Sequence, residues 1–376
     1  MGTEISLDQF DLIIAANKPC LVLNSRQSRR PCAREPWIQA TSRAVTSLQC
    51  DQPVFLTSIG QNTWEIVLHL VNRVGGRQIV VLPRQLDEYG FSSQEAVIAA
   101  FHLNAERTSI LTLDCADPAL WLNNRDAFLV SHAGVLAPVS VRSDGNMARL
   151  LAANSAKVDA SFRIDYRKTL DTIRYDWNAA KLNPGVFDEW DFLTHWTRSA
   201  QGPFPGQDQF DHYDAVLNSS DYPSSAFHSL RRILGEGRIR SSDRFIRGAF
   251  PVVSLTALPP NEALRLMRWR RRYGYYSFEP YGIAIRKSFA AESGFREVRY
   301  GVDEDYEAMN AKDRPFFQKV GSEVADWRPE AEWRHLGDID LSLVPVENLS
   351  VITYRLAEAE LLRGAYPYKV FSILDG

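Results

Sequence analysis

Three short stretches in the C-terminal half set polar side chains two residues apart: His195-Trp196-Thr197, Ser254-Leu255-Thr256 and Glu330-Ala331-Glu332-Trp333-Arg334. Each lies in a run that reads as strand. Successive side chains of a strand turn to opposite faces. His195 and Thr197 are therefore expected on one face, Ser254 with Thr256 on another, and Glu330, Glu332 and Arg334 on a third. Trp196, Leu255 and Trp333 would point away, toward a core. A histidine, a hydroxyl pair and a carboxylate pair opening onto one cleft can hold a nucleotide and activate a hydroxyl or a base. The plainer alternative is a core-edge His–Thr pair and an exposed ion ladder along one strand.

A second cluster is cationic. Residues 228–276 hold eleven arginines against three acids, in a chain of formal net charge -3. Pro259-Pro260 suits a helix start, and the stretch Asn261–Arg272 reads as a short helix. On it Arg265, Arg268 and Arg272 share a face at i, i+3 and i+7, with Arg271 beside them and Trp269 interleaved. Guanidinium forks next to aromatic faces suit phosphate contacts and base stacking. Arg265, Arg268, Arg271, Arg272 and Trp269 are thus candidates for nucleic-acid binding, with DNA as the partner. The phosphates of a small nucleotide compete for that role, and a solvated helix face is the bland reading. Glu279 precedes Pro280, which holds it extended, so it is a further candidate carboxylate for the cleft.

The N-terminal part offers loops rather than a charge cluster. Asn24-Ser25-Arg26-Gln27-Ser28-Arg29-Arg30 follows one strand-like run, and Thr57-Ser58-Ile59-Gly60-Gln61-Asn62-Thr63 follows the next and enters a helix. Hydroxyls, a glycine and a helix N-terminus suit a phosphate, and arginines in a facing loop add charge-assisted bonds. Arg26, Ser58, Gly60 and Asn62 are the candidate ligands, and 142–146 forms a third turn of the same type. Helix caps and solvated turns are the competing explanation. Neither G-x-G-x-x-G nor the Walker pattern occurs.

These residues need a scaffold. At 376 residues the chain calls for two domains. Strand-like runs at Cys20–Asn24, Val54–Thr57, Gln78–Leu82, Thr108–Asp114, Ala127–Ser131 and Val135–Arg142, with helices at Pro36–Leu48 and Thr63–Val74, predict a doubly wound parallel sheet over residues 1–155. A connecting segment is expected at 156–187. Residues 188–376 read as an α+β domain with mixed or antiparallel sheets. Its strands are expected at Asp191–Thr197, Phe250–Thr256, Tyr281–Ile285, Glu297–Tyr300, Glu330–Arg334 and Leu349–Tyr354, and its first helix at Ser224–Leu234. The four cysteines form no Cys-x-x-Cys pair, so no metal is expected. The N-terminus lacks a signal-peptide layout and no run of 18 apolar residues occurs, so the expectation is a cytoplasmic protein without a membrane partner.

Two resemblances add to this reading. Over residues 18–150, the strand with Thr57-Ser58-Ile59-Gly60, the helix, and then Gln78-Ile79-Val80-Val81-Leu82-Pro83 resemble the SLOG group of Rossmann-like domains, without that group's Gly-Gly run. The resemblance implies a bound nucleotide, with Ser58 and Gly60 at its phosphate. The three C-terminal motifs, with Phe227–Ser242, resemble ADP-ribosyltransferase-like folds of the His type, without a clear tyrosine clamp at the second motif. This implies an NAD-like ligand whose ribose or pyrophosphate meets His195 and Thr197. It also implies a base pocket at Ser254 and Thr256, and Glu332 (or Glu330) as the catalytic carboxylate. Trp327 through Arg334 is also similar to a Trp-x-x-Glu-x-Glu-Trp-Arg element of uncharacterised bacterial proteins, some of them near defence systems. Three functions follow as expectations: an enzyme acting on a nucleotide or nucleic-acid base with NAD as a possible substrate; a DNA base-modifying enzyme that works in the same cleft without NAD; and a non-catalytic nucleotide sensor.

Overall fold

The computed structural model describes residues 3–115, 117–168, 174–175, 189–244, 246–270, 274–320 and 328–374. The chain divides into two compact units. The first comprises residues 1–171 and 201–223, the second 172–200 and 224–376. Residues 201–223, expected within the second domain, therefore fold with the first. The reason is the helix Gln209–Asn218 (α7 below), which buries Tyr213 and Val216 in the first unit's core.

In the first unit, strands β1 (Thr3–Glu4), β2 (Cys20–Asn24), β3 (Val54–Ser58), β4 (Arg77–Pro83), β5 (Thr108–Leu113) and β6 (Val135–Ser140) form one sheet in the order β1-β5-β4-β3-β2-β6. Every pairing in it is parallel. Its strands are apolar on both faces because both faces are covered. Val22, Phe55, Val80 and Leu82 pack in one core with helices α2 (Pro36–Gln49), α3 (Asn62–Arg73) and α4 (Gln94–Ala100). Leu21, Leu23, Leu56, Ile79 and Val81 pack in the other, with α1 (Leu7–Ala16), α5 (Trp121–His132) and α6 (Asn146–Ala153). The expected parallel sheet, with helices on both faces, is thus present. The strand expected at Ala127–Ser131 lies inside α5 instead. Its apolar run is the buried stripe of a helix, on which Trp121, Arg125 and Leu129 recur every four residues. A run that short does not separate the two periods.

The second unit is built on a seven-stranded mixed sheet. Its strands are β7 (Phe192–Trp196), β8 (Val252–Thr256), β9 (Gly282–Arg286), β10 (Arg296–Glu297), β11 (Glu332–Leu336), β12 (Leu349–Thr353) and β13 (Lys369–Ser372), in the order β10-β11-β8-β7-β9-β12-β13. All pairs are antiparallel except β12 with β13. Leu193, Leu255, Ile283, Ile285 and Val351 pack one face against helix α8 (Ala226–Glu236) through Leu230 and Leu234. The other face carries a smaller core around Ala284, Ile352, Ile373 and Leu264, with Trp196 and Phe192 against it. The helix expected at Asn261–Arg272 stops early, at Pro260–Arg265. Beyond it Trp269–Arg270 pairs with Tyr275–Tyr276 as an antiparallel ribbon. Gly274 closes that ribbon with φ +68°, a left-handed conformation that glycine adopts without strain.

Candidate active site

Register decides which side chains meet. Thr194 of β7 stands opposite Thr256 of β8, and Thr256 stands opposite Glu332 of β11. One pair along, Ser254 stands opposite Arg334. Directly opposed residues share a face of the sheet. Thr194, Thr256, Glu332, Ser254 and Arg334 therefore project from the face away from α8. They line a cavity of about 630 Å³ that Glu330 also lines.

The two carboxylates are held differently. Glu332 Oε1 accepts from Ser254 Oγ at 2.7 Å and from Arg334 Nε at 2.9 Å, and its Oε2 accepts from Arg334 Nη2 at 3.2 Å. Arg334 is 1% exposed. Its other contacts are the carbonyls of Pro315 and Phe317, at 3.0 and 2.8 Å from Nη1, and Gln318 Oε1, at 2.7 Å from Nη2. A guanidinium with fixed partners on each nitrogen locks the carboxylate it faces. Among the described residues Glu330 has no such clamp. Burial, and then the negative charge of Glu332, push its pKa up to about 7, while Arg270 and Arg268 pull it down. At neutral pH it is near half protonated, where a group both gives and takes a proton effectively.

The backbone brings Glu330 to the cavity by an irregular route. The expected strand Glu330–Arg334 begins only at Glu332, and Glu330 ends a 3-10 turn, Arg328–Glu330. Ala331 between them has φ +44°. That left-handed conformation is strained for a residue with a Cβ, and it turns Glu330 out of the strand's alternation. Thr256 Oγ1 donates to the Glu330 carbonyl at 2.5 Å and accepts from Leu258 N–H at 3.1 Å. Thr256 thus positions Glu330.

Ser254, Thr256, Glu330 and Glu332 are brought together as expected, but His195, Thr197 and Glu279 are not among them. His195 and Thr197 alternate with Thr194 and Trp196 and so take the opposite face. His195 Nδ1 lies 3.0 Å from the Ser254 carbonyl, and burial pushes its pKa down. Thr197 Oγ1 lies 3.0 Å from the Ala226 carbonyl and 3.1 Å from that of Tyr281. Glu279 is fully buried and accepts from Ser199 N–H at 2.9 Å, Ser199 Oγ at 3.0 Å and Tyr175 OH at 2.6 Å. Each of the three is held by partners within the protein, away from that row. Trp196, expected to point toward a core, packs against the smaller core around Ala284 and also lines the cavity.

Residues outside the expected set complete the cavity wall. Trp196 and Phe278 stack with centroids 5.7 Å apart and planes at 26°. Arg198, next in phase after Thr194 and Trp196, lies over the Tyr275 ring at 5.0 Å. Arg244 and Arg270 line the same cavity. Positive charge beside an aromatic wall suits a ligand with a phosphate and a flat ring.

The basic segment is distributed differently from the expected helical face. Arg265 closes α9 (Pro260–Arg265), Arg268 lies between helix and ribbon, and both are exposed. Trp269 meets Tyr276 edge-on at 5.1 Å in the ribbon. Arg271 and Arg272 lie outside the described residues. The candidate phosphate loop of the first unit has internal partners. Ser58 Oγ donates to the Val81 carbonyl at 2.7 Å, and Gly60 N–H donates to Glu65 Oε1 at 2.8 Å. The Glu65 side chain thus takes the Gly60 N–H that a phosphate would use. Asn62 Nδ2 donates to the Ser28 carbonyl at 2.6 Å, tying the two loops together, and Arg26 is exposed.

Among the described residues no cluster of three or more metal-ligating side chains occurs, and no helix is long and apolar enough to cross a membrane. Comparison with known proteins gives no kinship: no family model, no curated protein and no solved structure matches this chain.

Proposed function

We propose that the second unit is an enzyme that breaks the glycosidic bond of a nucleotide and passes the sugar to an acceptor, water or another hydroxyl. The observation that carries this reading is the carboxylate pair. Glu332 is fixed by Ser254 and Arg334, and Glu330, with a pKa of about 7, shares its cavity. A fixed carboxylate stabilises the positive charge that develops on the anomeric carbon as the bond breaks. The bonding electrons leave with the base, and Glu330 supplies its proton. Where the leaving base is already cationic, as in NAD, no proton is needed. In either case the carboxylate of Glu330 removes a proton from the acceptor as the acceptor's oxygen bonds to the sugar. Arg198, Arg244 and Arg270 supply charge for the phosphate, and Trp196 and Phe278 a wall for the ring.

The test is base release from NAD and a panel of nucleoside mono- and diphosphates, followed by chromatography with wild type and Glu332→Gln. The expected result is release from at least one compound, reduced about 100-fold or more in the variant. Release at an equal rate in the variant, or no release from any compound, contradicts the reading. DNA as the nucleotide-bearing substrate rests on Arg268, which is exposed and close enough to Glu330 to lower its pKa. A linear fall in affinity for a short duplex with rising salt, less steep in Arg268→Ala, supports it, and salt-independent or absent binding sinks it.

A further inference from the structure

Two buried polar groups on the cavity wall have no role in holding the carboxylates. Thr194 is 1% exposed, and its Oγ1 has no hydrogen-bond partner among the described residues. Trp196 Nε1 is likewise buried without one. Both residues line the cavity, two apart on the same face of β7. Buried donors left unpaired are costly and rare, so two side by side on a cavity wall call for a partner that enters from the cavity. The sheet makes room for them. Gly282 stands opposite Trp196, and a Cβ there would lie 3.0 Å from Thr194 Cγ2 and 3.2 Å from Trp196 Cε3. A side chain at 282 would push both residues from their places.

Their position relative to the carboxylates is set by register. Thr194, Thr256 and Glu332 form one row across three strands. At about 4.8 Å per strand, Thr194 lies about 10 Å from Glu332 at the backbone. That span accommodates one heteroaromatic ring and the sugar carbon it leaves. Trp Nε1 donates and never accepts, so the ring must offer an acceptor, whereas the Thr194 hydroxyl takes either role.

We infer that Thr194 and Trp196 form the specificity site for the leaving group, and that this group is a heteroaromatic base bearing an exocyclic carbonyl oxygen. The assignment rests on the glycosidic reading above for the word leaving, but not for the binding itself. The carbonyl accepts from Trp196 Nε1 in the plane of the indole, with the ligand ring edge-on to it, and the Thr194 hydroxyl meets a neighbouring ring atom. A site built to hydrogen-bond a ligand discriminates strongly against analogues lacking the group.

The test is ligand-detected NMR titration of the full chain with uracil, hypoxanthine and nicotinamide, and with ribose 5-phosphate as a control for the rest of the cavity. Thr194→Val keeps the shape and removes the hydroxyl; Trp196→Phe keeps an aromatic face and removes the N–H. The expected result is that at least one of the three bases binds wild type. Each variant then weakens that binding about tenfold, with ribose 5-phosphate binding and the melting temperature unchanged. Binding of none of the three to wild type, or wild-type affinity in both variants, overturns the inference. The two proposals fail separately. Base binding that depends on Thr194 and Trp196 without any base release sinks the reaction alone. Base release that depends on Glu332, with ring binding indifferent to both variants, sinks the specificity site alone.

Discussion

Arg334 shows how much of the site one buried side chain holds. Its guanidinium joins Glu332 to the Pro315 and Phe317 carbonyls and to Gln318, so it fixes the carboxylate and the segment behind it together. Replacing it with methionine keeps most of the volume but leaves Glu332, whose side chain is 13% exposed, facing two unpaired carbonyls. Breaking one side of a buried ion pair costs about 3–5 kcal/mol. Arg334→Met is expected to lower stability by that order in urea unfolding and to abolish base release. A change within 1 kcal/mol would mean that the pair is solvated and the clamp unimportant. Ser254→Ala removes only one neutral donor to the same carboxylate, and belongs nearer 1 kcal/mol.

At the scale of elements, the helix α7 (Gln209–Asn218) carries a pH dependence of its own. It packs Phe210 between two imidazoles of the first unit, His69 at 4.9 Å and His102 at 4.5 Å between centroids. His69 is fully buried with neither ring nitrogen paired among the described residues, and burial pushes its pKa down to about 4; His212 on the helix itself is also pushed down to about 4. Arg73 and Asp214 face His69 and pair with each other at 3.0 Å, and His102 lies 2.6 Å from Asp208. A base with a lowered folded pKa favours the folded state only while neutral. Stability is therefore full above pH 6.5 and falls as the pH drops from 6.5 toward 4. Between pH 7 and pH 4.5 the first unit is expected to lose about 2–3 kcal/mol per imidazole. His69→Leu should remove its share, measured as a smaller shift in the urea midpoint. An equal shift in wild type and variant would place the proton elsewhere.

Parts of this were legible in the chain and parts were not. The parallel sheet of the first unit could be read because strands buried on both faces give unbroken apolar runs such as Cys20–Asn24 and Val54–Ser58. The phase of β8 could be read because Val253 and Leu255 are plainly inward beside Ser254 and Thr256. The phase of β7 could not. Phe192-Leu193-Thr194-His195-Trp196-Thr197-Arg198 mixes apolar and polar groups on both alternations, so the pattern alone does not tell that Thr194, Trp196 and Arg198 line the cavity and His195 does not. The place of Glu330 in the cavity comes from the left-handed turn at Ala331, which no strand pattern signals. The packing of 201–223 with the first unit leaves no mark on the sequence because α7 is short, and its partners lie more than a hundred residues away.

For the whole molecule the account turns on one proton. If Glu330 gives it to the leaving base, the rate of base release must follow its ionisation. The measurement is the pH dependence of release between pH 5 and 9 for wild type, Glu330→Asp and Glu330→Gln, on a substrate whose base leaves only when protonated. Wild type is predicted to lose rate as the pH rises through about 7, where Glu330 ionises. Arg270→Met should move that limb to higher pH, because a cation that favours the carboxylate is gone. Glu330→Asp keeps a descending limb, and Glu330→Gln is slow and flat across the range. A limb near pH 7 that persists in Glu330→Gln would contradict the account, since the proton would then belong to another group.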